Sequence, residues 1–263
     1  MNNRLDKELV ARNLVPSRAK AQELVKEGFV SCDGKIIKKN NYLVADNTII
    51  DIIDNDKLKY VSRGGLKLEK AINEFGIDFS EKLVMDIGSS TGGFCDCALQ
   101  HGAKEIIAID VGANLLHESL RNDKRIKLYE KTNFKALDKS FFNIDIITCD
   151  VSFISLKHII DKIYEQNIQV DIICLIKPQF EAGREIATQY KGIILNKDIH
   201  INIIKDLQKY FLNKRFKMID LVASPIRGGD GNIEYLTYLS NKDIKADSFK
   251  IEEIVEHAFK KLK

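Results

Sequence analysis

The chain has 263 residues, of which 44% are hydrophobic and 30% are charged. This composition excludes an intrinsically disordered chain, and the length fits one large domain with a small one. The formal net charge of +3 excludes a strongly polycationic protein, and no apolar run approaches the roughly 18 residues that a membrane-spanning helix needs.

The N-terminal part, residues 1–60, predicts a small α+β domain. Residues 4–13 have a helical pattern. A second helix is expected to begin after Ser17, which is a typical N-cap residue, and to end at Gly28. This region is also basic: residues 1–40 hold nine Lys or Arg against five Asp or Glu, an excess of four positive charges. Such a basic module favours a polyanionic partner.

A β-hairpin follows the second helix. The run F-V-S-C, the turn pair Asp33 and Gly34, and the run K-I-I-K form the pattern of two strands joined by a tight turn. A last strand of this domain is expected at residues 48–53. The polar residues 57–62 are interpreted as a linker.

The remainder of the chain alternates between strand-like runs and helix-length segments. This alternation predicts βαβ units and a mostly parallel sheet, hence an α/β domain. The apolar residues of 249–263 fall on one face of a final amphipathic helix. The predicted strands are 83–86, 106–110, 144–150, 172–177, 216–224 and 234–239.

A glycine-rich loop, D-I-G-S-S-T-G-G-F, follows the first strand of that domain and precedes a helix. A loop of this kind suits a nucleotide-like ligand at the carboxyl end of a parallel sheet. The spacing matches neither G-x-G-x-x-G nor the Walker loop, and the loop has no lysine for phosphate. A cofactor without phosphates fits better, and S-adenosylmethionine is one. The candidate cofactor-binding residues of the loop are Asp86, Gly88, Ser90, Gly92, Gly93 and Phe94.

Two residues beyond the loop complete the predicted cofactor site. Asp110 ends the second strand, where a carboxylate can accept hydrogen bonds from both ribose hydroxyls. Asn133 could line an adenine pocket, or it could be a turn residue. The alternative for the whole loop is a tight connection between a strand and a helix that binds nothing.

Reactive side chains are predicted at three other strand boundaries. Asp150 ends the strand D-I-I-T-C-D, Lys177 ends D-I-I-C-L-I-K, and Glu234 follows a glycine-rich turn. Lys67 precedes the sheet in S-R-G-G-L-K-L. Because carboxyl ends of parallel strands face one crevice, Asp150 and Lys177 are expected near the glycine loop. Taken singly, each could be an ordinary surface charge.

These four residues, Lys67, Asp150, Lys177 and Glu234, resemble the K-D-K-E tetrad of FtsJ-type ribose 2′-O-methyltransferases. Y-V-S-R-G-G-L-K-L, D-I-G-S-S-T-G-G-F, C-D-V-S-F-I-S-L, L-I-K-P-Q-F-E and S-P-I-R-G-G-D-G-N-I-E are similar to landmarks of the hemolysin A (TlyA) family of rRNA methyltransferases. R-L-D and P-S-R-A-K-A-Q-E-L-V-K-E-G-F-V resemble its S4-type RNA-binding domain. The resemblance covers nearly the whole chain. The loop 226–230 departs from the family pattern, because it looks more open than the usual loop. This difference bears on how the Glu234 side chain is positioned.

The resemblance implies a Rossmann-like methyltransferase domain over residues 61–263 and an S4-type domain over 1–60. It implies transfer of a methyl group from S-adenosylmethionine to a ribose 2′-hydroxyl of rRNA, with cytidine as the target nucleotide. The implied partner is rRNA within ribosomal subunits, and a monomer is expected. The candidate RNA-binding residues are Arg4, Arg12, Ser17, Arg18, Lys20, Lys35 and Arg63, for which a solvated charged face is the alternative.

The chemistry of the tetrad can also be argued from the residue types. A ribose hydroxyl is a poor nucleophile and needs a general base. A lysine side chain is a poor base unless it is desolvated or lies beside another cation. We therefore expect Lys177 to accept the proton, Asp150 to orient Lys177 and balance its charge, and Lys67 and Glu234 to hold the ribose and Lys177. The methyl group sits on a sulfonium, so no metal is required.

Four other functions are weighed against this one. A methyltransferase acting on base amino groups would carry N-P-P-Y or D-P-P-Y where this chain has C-D-V-S-F. A carbon-five cytosine enzyme needs a cysteine nucleophile, and neither Cys149 nor Cys174 looks poised. A non-catalytic RNA-binding module or a membrane-acting hemolysin remains as an alternative. Phe153 could stack on a base or on the cofactor, but packing against the sheet is the favoured expectation.

The five cysteines have no metal-ligand spacing and are odd in number. Reduced, mostly buried thiols are therefore expected, which fits a reducing cytoplasm. The N-terminus has no apolar leader segment. A cytoplasmic protein without a membrane partner is the expectation.

Overall fold

A computed structural model of the protein describes residues 3–52, 59–228, 230–245 and 248–261. The chain divides into two compact units, residues 1–63 and 64–263. The predicted linker lies in part outside the described residues.

The smaller unit contains two helices, α1 (Leu5–Ala11) and α2 (Arg18–Glu27). The Ser17 hydroxyl oxygen accepts a hydrogen bond from the Lys20 backbone N–H, which satisfies one of the free donors at the start of α2. Gly28 ends the helix in the left-handed conformation, with φ of 82°. Both predicted helix boundaries are confirmed.

The predicted hairpin is present in this unit. Strand β2 (Val30–Cys32) pairs antiparallel with β3 (Lys35–Ile36). Asp33 and Gly34 join them with φ of 49° and 76°, and two consecutive positive φ angles match the right-handed twist of a hairpin. Strand β5 (Ile50–Ile52) pairs with the other side of β2, within the predicted strand at 48–53.

A second, smaller sheet was not predicted. Strand β1 (Asn3–Arg4) pairs antiparallel with β4 (Leu43–Val44).

The strand predicted at 48–53 corresponds to β5, and its predicted last residue, 53, lies outside the described residues. The apolar core of the unit consists of Leu5, Leu9, Val15, Ala21, Leu24, Val25, Val30, Cys32, Ile37, Val44 and Ile50.

Seven strands of the larger unit form one sheet among the described residues. Their order across the sheet is β11-β12-β10-β9-β6-β7-β8. Strand β12 is antiparallel to both neighbours and the other neighbouring pairs are parallel, so the predicted mostly parallel sheet is confirmed. The short edge strand β8 was absent from the predicted strands. The seven are β6 (Leu83–Ile87), β7 (Glu105–Ile109), β8 (Ile126–Tyr129), β9 (Ile146–Cys149), β10 (Asp171–Ile176), β11 (Lys217–Ala223) and β12 (Tyr235–Ser240).

Helices pack against this sheet because each such helix has a stripe of apolar side chains that packing removes from water. Helix α6 is representative: it buries Leu156, Ile159, Ile160 and Ile163, which recur at helical spacing. Burying each such side chain contributes roughly 1.5–3 kcal/mol. The helices are α3 (Gly64–Phe75), α4 (Gly93–Gln100), α5 (Glu118–Arg121), α6 (Leu156–Glu165), α7 (Pro178–Glu181), α8 (Gly183–Gln189), α9 (Lys197–Asn213) and α10 (Ile251–Lys261).

The strand order contains a switch point between β6 and β9. From β6 the chain proceeds to β7 and β8 on one side, and then crosses to β9 and β10 on the other. In open α/β sheets, ligands bind in the crevice at the carboxyl ends of the two strands that flank such a point. The functional site is therefore expected just after Ile87 and Cys149.

Candidate active site

Gly88 lies at the switch point, immediately after β6. Its φ is 82°, and a Cβ at this position would lie 2.8 Å from the backbone oxygen of Asp150. The Gly88 N–H donates a hydrogen bond to the Ile109 carbonyl, at 2.9 Å. Glycine is required here because any side chain would separate the loops that follow β6 and β9.

Asp110 is held rigidly beside the same loop. Its two carboxylate oxygens accept hydrogen bonds from the backbone N–H groups of Ser90, at 2.8 Å, and Gly112, at 2.7 Å. Ser90 adopts a left-handed φ of 48° in presenting its N–H. A carboxylate oxygen has lone pairs beyond those used by one donor, so Asp110 can still accept bonds from ribose hydroxyls.

Ser89, which the sequence did not single out, lies in this loop. It is 5% exposed, and its hydroxyl oxygen is buried without a hydrogen-bond partner among the described residues. Buried hydroxyls are normally hydrogen-bonded, so an unpartnered one indicates a place for a polar ligand. Gly92 follows with φ of 93°, and Gly93 begins helix α4. The loop residues thus fit a bound cofactor.

Two of the predicted cofactor-binding side chains lie beneath the loop. Asp86 is 1% exposed, and it accepts hydrogen bonds from Thr148 Oγ1 at 2.8 Å and from Cys95 Sγ at 3.0 Å. Burial raises the pKa of Asp86 to about 6. Phe94 is 4% exposed and belongs to the core. Both side chains support the loop from inside, and a part for them in cofactor binding stays a prediction.

Asn133 adopts the turn geometry that was its alternative. Its side-chain oxygen accepts a hydrogen bond from the Lys135 N–H, at 3.0 Å, and caps a 3-10 helix at 134–136. The residue is exposed. Its role in an adenine pocket stays a prediction.

The four residues of the predicted tetrad lie together. Lys177 Nζ is 2.6 Å from Asp150 Oδ1, and Lys67 Nζ is 3.6 Å from Asp150 Oδ2. Lys67 Nζ also donates a hydrogen bond to Glu234 Oε2, at 2.8 Å. Lysine and carboxylate side chains therefore alternate in one chain of contacts, Lys177–Asp150–Lys67–Glu234.

The cluster is largely withdrawn from water. Lys67 and Lys177 are each 8% exposed, and Glu234 is 2% exposed. Burial alone would raise the pKa of Asp150, but the charges of Lys67 and Lys177 outweigh burial and hold that pKa below its ordinary value. Asp150 therefore stays ionised between the two lysine side chains. Lys67 and Lys177 thus both contact one carboxylate, that of Asp150.

The direction of β12 explains how Glu234 reaches this edge of the sheet. Asp150 and Lys177 follow the carboxyl ends of β9 and β10, whereas Glu234 precedes β12. Because β12 runs antiparallel to β10, the amino end of β12 lies beside the carboxyl end of β10.

Two hydrogen bonds cross the turn before Glu234; the expected openness of the loop 226–230 stays a prediction, because residue 229 lies outside the described residues. The Arg227 guanidinium donates a hydrogen bond to the Gly231 carbonyl at 2.7 Å, and the Gly228 N–H donates one to the Asn232 carbonyl at 2.9 Å. A Cβ at Gly228 would lie 2.9 Å from Glu234 Cδ and closer still to Oε1. Glycine is needed at residue 228 for the carboxylate to fit.

Two polar side chains that the sequence did not single out complete the cluster. Lys177 Nζ donates a hydrogen bond to Ser152 Oγ at 3.0 Å, and Gln179 Nε2 donates one to Glu234 Oε1 at 3.4 Å. Their only sequence signal is closeness in the chain to Asp150 and Lys177. These two hydrogen bonds fix the orientations of the Lys177 and Glu234 side chains.

Phe153 lies beside the cluster and is 90% exposed, so the expectation that it packs on the sheet is wrong. Its φ is 65°, in the left-handed region that a phenylalanine rarely adopts. The ring is 4.9 Å from the Phe180 ring, centroid to centroid. An aromatic ring presented to solvent at a polar site is suited to stacking on a nucleic-acid base.

The cysteines are not suited to act as nucleophiles. All five are free and buried, as predicted. Burial raises the pKa of the thiols of Cys149 and Cys174, which lie within β9 and β10. Because the thiolate is the nucleophilic form, neither is suited to attack a base.

In the smaller unit, Asp6 organises two of the predicted RNA-binding residues. Its carboxylate is 0% exposed and accepts hydrogen bonds from Arg4 Nε at 2.9 Å, Arg18 Nε at 2.9 Å and Gln22 Nε2 at 2.8 Å. The bonds from Arg4, together with those from Gln22 and Arg18, hold the pKa of Asp6 well below its ordinary value. One buried charge thus fixes two arginines that remain exposed, Arg4 by 40% and Arg18 by 51%.

The Arg12 side chain is held by hydrogen bonds within the smaller unit. Its guanidinium donates hydrogen bonds to Glu8 Oε1 at 2.8 Å, the Thr48 carbonyl at 2.6 Å and the Ala45 carbonyl at 3.1 Å. These bonds tie α1 to the 45–48 turn. The expected contact with RNA is corrected, because most of the donors are already used.

The other predicted RNA-binding residues differ in exposure. Lys20 is 4% exposed with its Nζ 3.5 Å from Glu23 Oε1, so the expectation of a surface contact with RNA is corrected. Arg63 Nε lies 3.6 Å from the same Glu23 oxygen and is partly exposed. Lys35 is exposed, and Ser17 is occupied as the N-cap of α2.

Among the described residues, no helix has the length and apolar character needed to cross a membrane. Nor do these residues include a group of three or more His, Cys, Asp or Glu side chains that could hold a metal ion.

Comparison with known proteins identifies the family. The FtsJ-like methyltransferase model matches residues 60–241, and the S4 domain model matches residues 3–50. The 16S/23S rRNA (cytidine-2′-O)-methyltransferase TlyA of Mycobacterium tuberculosis is 33% identical over 97% of this chain and 96% of its own length. The chain belongs to the hemolysin A (TlyA) family of FtsJ-like methyltransferases.

Two further proteins support this membership. The 23S rRNA (cytidine-2′-O)-methyltransferase TlyA of Campylobacter jejuni is 38% identical over 87% of this chain and 96% of its own length. A solved structure from Streptococcus thermophilus is 36% identical, with a TM-score of 0.76 over 98% of this chain and 96% of that one. For an FtsJ-like methyltransferase with this sheet, S-adenosylmethionine is the implied cofactor, as the glycine loop predicted.

Proposed function

We propose that this TlyA-family protein transfers a methyl group from S-adenosylmethionine to the 2′-hydroxyl of a cytidine in rRNA. The observation that carries the proposal is the buried chain of contacts Lys177–Asp150–Lys67–Glu234, at the sheet edge where the backbone of Gly88 leaves no room for a side chain beside Asp150. The Mycobacterium tuberculosis and Campylobacter jejuni relatives are named as cytidine-2′-O-methyltransferases, which supports the same target atom.

Lys177 is the proton acceptor in this proposal. Bound S-adenosylmethionine would supply the methyl group as an electrophile for the 2′-oxygen. Lys177, which must be a neutral amine for this step, accepts the hydroxyl proton at Nζ and becomes an ammonium. Asp150 pairs with the ammonium that forms, at 2.6 Å in the structure. Ser152 and Lys67 keep these groups in line, and much of the rate gain comes from such positioning.

The glycine loop and Asp110 hold the cofactor. Bound S-adenosylmethionine supplies a methyl group that its positive sulfonium already activates, so we propose transfer without a metal. Asp110 accepts hydrogen bonds from the ribose hydroxyls of the cofactor, and the hydroxyl of Ser89 supplies a further polar contact. Asp86 and Phe94 support the loop from below.

We expect Asp110→Ala to weaken binding of S-adenosylmethionine roughly 10- to 100-fold. Losing hydrogen bonds to a charged group costs about 1.5–3 kcal/mol, and each 1.4 kcal/mol is a factor of about ten in affinity. Titration calorimetry measures the change, with Asp138→Ala as the control because Asp138 is an exposed capping carboxylate on a 3-10 helix. Unchanged affinity in a folded Asp110→Ala protein would remove Asp110 from the site.

We assign residues 1–60 to RNA binding and residues 61–263 to catalysis. Exposed Arg4 and Arg18, fixed by Asp6, contact phosphates of the rRNA, and Lys35 and Arg63 add positive charge. The substrate is rRNA within a ribosomal subunit, the protein acts as a monomer, and its place is the cytoplasm, where ribosomes are. The S4 domain match supports the assignment of RNA binding.

Arg18→Ala is expected to reduce the salt dependence of rRNA binding. If Arg18 contacts one phosphate, the slope of log affinity against log salt concentration falls by about one unit. The matched control is Arg125→Ala, because Arg125 is also 51% exposed and also paired with an aspartate, but lies in the larger unit. An equal slope in wild type and Arg18→Ala would make Arg18 a solvated surface charge.

The function itself is tested by methyl transfer from labelled S-adenosylmethionine to separated ribosomal subunits that lack the modification. The position of the label is then mapped in each rRNA. We expect the label on a cytidine ribose. Label on a base would replace the proposal with a base methyltransferase, and no transfer to either subunit or to free rRNA would exclude the activity.

A further inference from the structure

Glu181 joins two loops of the active site. Helix α6 begins with Ser155 as its N-cap, and the Ser155 hydroxyl accepts a hydrogen bond from the Lys157 N–H at 3.2 Å. The same hydroxyl donates a hydrogen bond to Glu181 Oε2 at 2.6 Å. The Leu156 N–H donates another to Glu181 Oε1 at 2.8 Å. Both oxygens of one carboxylate therefore hold the start of α6.

The short helix α7 carries Glu181 at one end and follows Lys177 at the other. The N–H groups of Phe180 and Glu181 both donate to the Lys177 carbonyl, at 2.9 and 3.2 Å. The loop 151–155 is thus fastened twice to the same element. Lys177 is hydrogen-bonded to Ser152 near the beginning of the loop, and Glu181 is hydrogen-bonded to Ser155 at its end.

Phe153 is the residue that this double attachment constrains. It combines a left-handed φ of 65° with a ring that is 90% exposed, so burial of the ring does not explain its conformation. An unfavourable backbone conformation persists only where the surrounding structure imposes it, and it is found most often at functional sites. The hydrogen bonds at the two ends of the loop supply that constraint. Both carboxylate oxygens of Glu181 are hydrogen-bonded, and burial raises the pKa of Glu181.

We propose that Glu181 is a positioning residue which, by clamping the end of the loop 151–155, holds the Phe153 ring as a stacking surface for the target nucleotide. This inference rests on the proposed function, since it assumes an RNA substrate at the tetrad. Glu181 itself touches neither the methyl group nor the hydroxyl, and it acts through Phe153.

The first test compares Glu181→Ala with Glu181→Gln. Glutamine can still accept from the Leu156 N–H and bond to the Ser155 hydroxyl, whereas alanine can do neither. We expect Glu181→Ala to lower kcat/KM for rRNA by roughly 10- to 100-fold, the scale that a small misplacement costs, with cofactor affinity unchanged. Glu181→Gln is expected to retain most of the activity. The control is Asp138→Ala, which removes a capping carboxylate elsewhere in the same unit.

The second test is a double-mutant cycle with Phe153→Ala, which we expect to lower kcat/KM for rRNA by a similar factor because one base-stacking contact is lost. If Glu181 acts through Phe153, adding Glu181→Ala to Phe153→Ala causes little further loss. A general structural role would instead multiply the two losses. Multiplied losses, an unaffected Phe153→Ala, or equal losses in Glu181→Gln and Glu181→Ala would each overturn the inference.

Ser155→Ala keeps the test decisive if Glu181→Ala does not fold. This variant removes the 2.6 Å hydrogen bond from the loop side, and it must show the same lack of further loss with Phe153→Ala. Lys177→Ala, assayed alongside, separates this inference from the proposed function. Loss of transfer in Lys177→Ala with full activity in Glu181→Ala and Ser155→Ala would reject only the inference, whereas transfer by Lys177→Ala would reject the proposed chemistry.

Discussion

Lys177→Ala is expected to bind S-adenosylmethionine normally but to lose methyl transfer by roughly 100- to 10,000-fold, because the 2′-hydroxyl no longer has its proton acceptor. Lys177→Arg is expected to fail as well, since a guanidinium keeps its proton and cannot accept another. The measurement is single-turnover transfer of labelled methyl groups to rRNA. The control is Lys205→Ala, because Lys205 is a half-exposed lysine on α9 paired with Glu252.

The product gives an independent check of the atom that is methylated. Alkaline cleavage of RNA uses the 2′-hydroxyl as an internal nucleophile, so a 2′-O-methylated nucleotide resists cleavage at one linkage. Wild-type product should show one alkali-resistant gap at each target, and the Lys177→Ala product should show none. Normal cleavage at a labelled nucleotide would contradict both the ribose assignment and the role of the tetrad.

Gly228→Ala is expected to lower turnover by roughly 100-fold without changing cofactor affinity. A Cβ at residue 228 would lie 2.9 Å from Glu234 Cδ, so the carboxylate must move. That movement breaks its 2.8 Å contact with Lys67, and displacements of this size at a catalytic site cost about two orders of magnitude in rate. Steady-state kinetics with rRNA and calorimetry with the cofactor separate the two effects.

Gly231→Ala is the matched control within the same loop. A Cβ at Gly231 meets nothing within 4 Å, but its φ of 92° strains any other residue. This variant should lower the melting temperature and keep most of its turnover. If it loses as much turnover as Gly228→Ala, then loop strain and not displacement of Glu234 explains the result.

The parts of the site that could be predicted are those with a chemical signature in consecutive residues. The glycine loop could be placed because a tight connection between a strand and a helix needs several glycines, of which Gly88 and Gly92 have positive φ angles. Asp150 and Lys177 could be placed because each ends a long apolar run, and such ends meet at one edge of a parallel sheet. The positions of the helix caps Ser17 and Gly28 were also predictable, since they depend on local hydrogen bonding.

The parts that could not be predicted depend on tertiary contacts. A lone aromatic residue after a strand is usually buried, and nothing in C-D-V-S-F shows that the loop turns Phe153 outward. Lys20 looks like a surface charge because lysine normally is one, yet it is 4% exposed. Strand β8 has only four residues, with a lysine in the middle, and its pattern is too short to stand out from its surroundings.

The position of β12 sets the stage of synthesis at which the Lys177–Asp150–Lys67–Glu234 cluster can be completed. It is the last strand of the sheet to be made, but it lies inside the sheet, where it is the neighbour of both β10 and β11. Among the described strands, β11 has no partner except β12, so it cannot join the sheet before residue 240 has been translated. Lys67, Asp150 and Lys177 are made before Glu234, so they lack this partner until the same late stage. A nascent chain therefore carries an incomplete Lys177–Asp150–Lys67–Glu234 cluster until β12 has been made and has joined the sheet.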